Sequence, residues 1–182
     1  TRAVLSAFGI PQVPGVMART AEDAVEIARS LGFPVAVKLA SQRVLHKSDI
    51  GAVRLNVQDE TAVRRAFEEI RQDGMEGIVV QSMIRNGVEL MIGVAEDPLF
   101  GPLIAFGLGG IHVEILADVS FRVTPLTDQD AAEMVRAIRG YRLLEGYRGH
   151  PPADIHAVQE VLLRVSRMVE DIPEIRELDL NP

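Results

Sequence analysis

Short apolar runs with two-residue alternation are interleaved along this chain with helical stripes of apolar residues, and that interleaving points to a mixed α/β architecture. Ala24, Ile27, Ala28 and Leu31 make one stripe, opened by Thr20 and Asp23 in a capping-box-like start and closed by Gly32. Val63, Phe67 and Ile70 make a second, Thr127 opens a third that runs to Arg139, and Asp154 opens a fourth through Ile155, Val158, Leu162, Val165 and Val169. A short helix is expected from Arg2 to Phe8, ended by Gly9. The stretches 35–40, 52–57, 77–83, 88–95, 102–106, 113–116, 119–124 and 174–180 read as strands. Arg85-Asn86-Gly87 carries a turn signal, which predicts a β-hairpin between 77–83 and 88–95. Two lobes are expected, residues 1–84 and 85–182, the second truncated at its final strand, so that the chain reads as a piece of something longer.

Composition narrows the function classes. The 182 residues suffice for one large domain or two small ones, and the formal charge of −7 argues against a general nucleic-acid binder. With no Cys there is neither a disulfide framework nor a thiolate metal site, which fits a cytoplasmic protein. No apolar run reaches the roughly 18 residues of a membrane span.

Seventeen of the nineteen basic residues are Arg, and the only two Lys, Lys38 and Lys47, stand nine positions apart. Lys carries a compact mobile ammonium where Arg carries a rigid planar fork, so a tight phosphate site can require the former. In the strand Val35 to Ala40, alternation puts Lys38 on one face with Ala36 and Ala40, which leaves room for a ligand beside it. A solvated edge-strand lysine is the alternative. The following loop gathers His46, Lys47, Ser48 and Asp49, a titratable nucleophile beside a cation and two orienting groups, or else an ordinary polar surface loop.

Gly107-Leu108-Gly109-Gly110 after a strand offers backbone N–H groups to an anion, or makes a plain tight turn. Near the end of the chain Glu177, Asp179 and Asn181 share one face of a strand, with Leu178 and Leu180 on the other. Three oxygen-bearing side chains in a row suit magnesium beside phosphates; a wet acidic face is the simpler reading. Glu89 stands on the Glu89, Met91, Gly93 face of its strand, where ligand contact and plain solvation are both open.

The stretches PVAVKLAS, LHKSDIGAV, GVELMIGVAEDPLFGPLIAFGLGGIHVE, DVSFRVTPLT and ELDLNP, taken in order, resemble one family over nearly the whole chain. It is the ATP-grasp domain of the ADP-forming acyl-CoA synthetases, relatives of the succinyl-CoA synthetase β subunit. The resemblance implies two α+β lobes with antiparallel or mixed sheets and flanking helices that clamp ATP or ADP with Mg2+. It implies conversion of an acyl-CoA, ADP and phosphate into a carboxylate, CoA and ATP through an acyl phosphate and a phosphohistidine.

Residue by residue, Lys38 matches the lysine at the nucleotide phosphates. Gln81, Ser82 and Met83 match the hinge over adenine, with Gln81 where many relatives have Glu. Glu89 falls near the ribose. His46 matches a second histidine that relays the phosphoryl group, Asp179 an acid that steadies phosphohistidine, and Asn181 a magnesium ligand, with Asp179 beside it. In the family a further strand with another carboxylate follows the Asn-Pro, so the metal site is expected to be incomplete at Pro182. CoA-binding and ligase domains, on the same chain or another subunit, are the implied partners. The alternative is a regulatory copy of the same domain fused to a protein lysine acetyltransferase.

Overall fold

The computed structural model describes residues 2–40, 52–71, 75–85, 87–110, 118–147, 149 and 151–180. It divides into two compact units, Val13–Arg85 and Thr1–Gln12 with Asn86–Pro182. The expected division at 84/85 differs from this in the placement of the first twelve residues, which join the second unit.

In the unit Val13–Arg85, a four-stranded antiparallel sheet is built from β1 (Gly15–Ala18), β2 (Val35–Ala40), β3 (Val53–Val57) and β4 (Gly77–Ser82), in the order β1-β4-β2-β3. Helices α2 (Ala21–Leu31) and α3 (Glu60–Ile70) cover one face. Val35, Val37 and Leu39 of β2 and Ile78 and Val80 of β4 form the core with Ala24, Val25 and Ala28 of α2 and Val63, Phe67 and Ile70 of α3. The helix starts follow the capping chemistry: the Thr20 side chain accepts from Asp23 N–H and the Asp59 side chain from Ala62 N–H. Gly32 ends α2 at φ 80°, its N–H donating to the Ala28 carbonyl at 3.0 Å. Two exposed ion pairs tie the helices together, Arg29 to Glu60 at 2.5 Å and Arg64 to Glu22. The hydrogen bonds from Arg29 and Arg64 hold the Glu60 and Glu22 carboxyls below the ordinary glutamate value.

The second unit holds α1 (Arg2–Ala7) and the antiparallel sheet β7-β6-β5-β8, formed by β5 (Leu90–Asp97), β6 (Gly101–Leu108), β7 (Val119–Val123) and β8 (Glu177–Leu180). Helices α4 (Asp128–Ala137) and α6 (Ile155–Asp171) pack against each other and onto it, with the short α5 (Tyr141–Leu144) between them in sequence. Ile92, Val94, Ile104, Phe106 and Leu108 of the sheet meet Met134, Val135, Leu162, Val165 and Val169 of the helices. Thr127 and Asp130 make the reciprocal capping box of α4. Leu5 and Ile10 enter this core, and Arg164 of α6 donates to the Gly9 carbonyl, which explains why the N-terminal helix belongs here.

One sequence expectation is overturned, and two short elements are added. Gly77–Ser82 and Leu90–Asp97 do not form a hairpin; β4 lies between β1 and β2, and β5 between β6 and β8, in different sheets. The turn chemistry of Arg85-Asn86-Gly87 is local, whereas the choice of strand partner is made by the core each strand faces. Strand β1 and helix α5 carry no sequence signal, because at four residues each they are too short to show periodicity. The expected strand at 113–116 lies outside the described residues. Among the described residues, no helix is long and apolar enough to cross a membrane.

Candidate functional site

In β2, every residue is buried except Lys38, which is half-buried. Val35, Val37 and Leu39 point into the helix-covered core. Lys38, with Ala36 and Ala40 on either side, lies on the opposite face, as alternation predicts. Its cross-strand partners are Val53 of β3 and Val79 of β4. Ala36 and Ala40 are themselves buried, at 2% and 7% exposure.

The three expected hinge residues separate. Gln81 pairs with Ala36 on one side and Gly15 on the other, so its side chain shares the face of Lys38, diagonally across from it. Ser82, the last residue of β4, pairs with Val35 and stands on the other face. Met83 follows the strand, and its N–H donates to the Pro34 carbonyl at 3.3 Å. The alternation of Ile78 and Val80 against Val79 and Gln81 is the sequence signal that puts the Gln81 side chain with Lys38.

Glu89 precedes β5, which begins at Leu90. Its carbonyl accepts from Gly109 N–H at 2.7 Å, and a Cβ on Gly110 would come within 2.2 Å of its carboxylate Oε2. The start of Gly107-Leu108-Gly109-Gly110 is a close-packed element: a Cβ on Gly107 would meet the Asp118 carbonyl oxygen at 2.7 Å, and one on Gly109 the Glu89 and Leu90 backbone at 3.1 Å. These glycines are required by packing at Gly107 and Gly109 and by a left-handed φ of 63° at Gly110. Asp118 adds to the order here, its carboxylate accepting from Arg139 N–H at 2.8 Å and Gly140 N–H at 2.7 Å.

In the second sheet Asp179 pairs with Gly93 and Glu177 with Ala95, so both carboxylates lie on one face of β8, exposed, while Leu178 and Leu180 pack toward the core. Among the described residues no group of three or more His, Cys, Asp or Glu is placed to hold a metal. Magnesium does not need one, because it commonly takes one or two carboxylates with phosphate oxygens and water. Asn181, and His46 with Lys47, Ser48 and Asp49, lie outside the described residues.

This arrangement, with two antiparallel sheets each backed by helices and a half-buried lysine beside small residues on a strand face, coincides with a match over residues 1–182 to the family model described as an ATP-grasp domain. The chain is an ATP-grasp domain of the ADP-forming acetate–CoA ligase family. It is 44% identical to the β subunit of ADP-forming acetate–CoA ligase II of Pyrococcus furiosus, over 98% of this chain and 80% of that one. It is 48% identical to ADP-forming acetate–CoA ligase I of Archaeoglobus fulgidus, over 98% of this chain but only 27% of that relative's length. Among solved structures, this ATP-grasp domain superimposes on acetyl-coenzyme A synthetase 1 of Candidatus Korarchaeum cryptofilum bound to coenzyme A and Ca-AMPCP, with a TM-score of 0.92 at 44% identity, covering 100% of this chain and 82% of that one. It also matches the form of that enzyme with coenzyme A and Mg-AMPPCP, whose phosphohistidine segment points toward the nucleotide-binding site, with a TM-score of 0.84 at 45% identity, covering 100% and 81%.

Proposed function

We propose that this ATP-grasp domain is the nucleotide-binding and phosphoryl-transfer part of an ADP-forming acyl-CoA synthetase, an acid–thiol ligase. The complete enzyme interconverts an acyl-CoA, ADP and phosphate with a carboxylate, CoA and ATP. The observation that carries this reading is the placement of Lys38 beside Ala36, Ala40 and Gln81 on the face of its sheet opposite α2 and α3, in a domain whose solved relative binds adenine nucleotide analogues with a divalent cation.

Lys38 supplies the point charge for the nucleotide phosphates. Gln81 offers its carboxamide, Ser82 its backbone groups and Met83 its carbonyl to the adenine, with Glu89 near the ribose. In the second unit Asp179 and Asn181 would hold magnesium; when bound, the ion offsets negative charge on phosphate oxygens. His46 takes the phosphoryl group: a neutral ring nitrogen forms the N–P bond as the P–O bond to the departing group breaks, and the electron pair leaves with that oxygen. Lys47 offsets the charge that arrives, Asp49 orients the ring, and Asp179 steadies the phosphorylated imidazole.

The CoA-binding part of the ligase is supplied by another domain or subunit, in keeping with a matched relative that is a β subunit and another of which this chain spans about a quarter. The ligase names of those relatives favour this reading over a regulatory copy fused to an acetyltransferase. The test is on the complete protein with radiolabelled ATP, quenched and mapped for acid-labile, base-stable label. Label on the His46 peptide, lost in His46→Ala with ATP binding intact, is the expected result; normal net turnover by His46→Ala removes His46 from the pathway.

A further inference from the structure

The hairpin joining β5 to β6 carries two large apolar side chains outward on a fixed support. Asp97 and Gly101 pair across the ladder, which leaves Pro98, Leu99 and Phe100 as the tip. The Asp97 carboxylate Oδ1 accepts from Leu99 N–H at 2.8 Å and from Phe100 N–H at 3.0 Å. Gly101, at φ 75°, supplies the left-handed residue that returns the chain into β6. Asp97 and Gly101 therefore account for the shape of the tip, and nothing in its backbone calls for Leu or Phe. Yet Leu99 is 86% exposed and Phe100 64%.

Exposed apolar residues also stand on the neighbouring strand β7. Phe121 and Val123 of β7 are 57% and 43% exposed, Val123 lies opposite Leu103, and Thr124 N–H donates to the Pro102 carbonyl at 3.1 Å. Side chains of this size are worth about 1.5–3 kcal/mol each when fully buried. Held on a tip already ordered by Asp97, they meet a partner with little further loss of backbone freedom.

Charge specifies the rest of the surface that fits. The unit Thr1–Gln12 with Asn86–Pro182 contains nine basic and sixteen acidic residues, so the whole formal charge of −7 belongs to it, while Val13–Arg85 has ten of each. Beside the tip, the exposed Glu177 of β8 pairs opposite Ala95, two residues before Asp97, with the exposed Glu174 just upstream. Glu96 is answered within the unit by Arg176 at 3.3 Å.

We infer that the Pro98–Phe100 tip is an anchor that inserts into an apolar socket with a basic rim on the remainder of the same ligase, the domain or subunit outside this stretch. The inference rests on the reading of this chain as part of a larger ligase, and the matched relatives supply the chain for such a socket: one is a β subunit, and of another this stretch is 27%.

The test uses the complete enzyme with Leu99→benzoylphenylalanine as a photo-cross-linker. Cross-links are expected to residues outside 1–182, and adding Phe100→Asp is expected to cut their yield about thirtyfold, the scale of losing one buried interface anchor. Phe100→Asp in the otherwise unaltered enzyme should slow turnover while ADP affinity stays within about twofold, since the loss of an anchor need not disturb the nucleotide contacts. Cross-links confined to 1–182 or to a second copy of it, or a yield indifferent to Phe100→Asp, overturn the anchor. A wild-type enzyme without ligase turnover overturns the proposed function instead, and the cross-link map still decides the anchor.

Discussion

Lys38 and Gln81 are diagonal neighbours on adjacent antiparallel strands, on the face of the first sheet turned away from its helices. One brings a cation and the other a neutral carboxamide with both donor and acceptor capacity. Small residues flank them: Ala36 stands between them, Ala40 beyond Lys38, and Gly15 across from Gln81. That pairing of charge and hydrogen-bonding group makes this face the place to test nucleotide binding.

Removing the ammonium should expose its share of the binding energy. A charge-assisted contact contributes about 1.5–3 kcal/mol, so Lys38→Ala should weaken ADP binding roughly ten- to a hundredfold by calorimetry. Lys38→Arg should recover only part of this, because the planar fork needs room that the site was not shaped to give. An alanine variant with wild-type affinity would contradict the assignment.

Asp179 should matter only when the cation is there. Asp179→Asn keeps the size of the side chain and removes its charge, so ADP affinity in magnesium should fall about tenfold. In excess chelator, the variant and the wild type should bind ADP alike. An equal loss under both conditions would place Asp179 in the fold rather than at the metal.

Gly107 separates two readings of the glycine loop. A Cβ there would press on the Asp118 carbonyl oxygen at 2.7 Å, where backbone has little room to yield. Overpacking of this kind costs about 1–3 kcal/mol, and Tm should drop by roughly 2–4 °C per kcal/mol. If the loop were chiefly an anion cradle, Gly107→Ala would keep its Tm and lose nucleotide affinity.

The ion pair between α2 and α3 gives a signed pH dependence. Arg29 lowers the Glu60 carboxyl in the folded state, so the folded protein binds the proton less well than the unfolded chain. The stabilisation is therefore complete above the unfolded glutamate value of about 4.3 and is lost as pH falls through the lower folded value. Thermal melts of Glu60→Gln should lie slightly below wild type by a constant margin between pH 6 and 8. The margin should close in acid; one that widens there would reverse the sign.

Much of the local structure was legible in the residues. Thr20, Thr127 and Asp154 cap the helices expected to follow them, because a side-chain oxygen satisfies the first turn's N–H groups without help from elsewhere. The alternation of β2 placed Lys38 correctly for the same reason: Cβ direction is a property of the strand itself. The roles of His46 and Asn181 rest on resemblance and belong to the proposal, outside the described residues.

By itself, the sequence determined the mixed α/β class, the starts of the helices other than α5, the faces of β2 and β8, and the family. Tertiary structure decided which strands pair, that Thr1–Gln12 joins the later unit, and that Gln81 turns its side chain to the side of Lys38. It also decided that Gly107 and Gly109 serve close packing against Asp118 and Glu89. The physical reason is range. Caps and alternation are set within a few residues, whereas a strand's partner and the space beside a glycine depend on groups far along the chain, chosen by which apolar faces can be buried together.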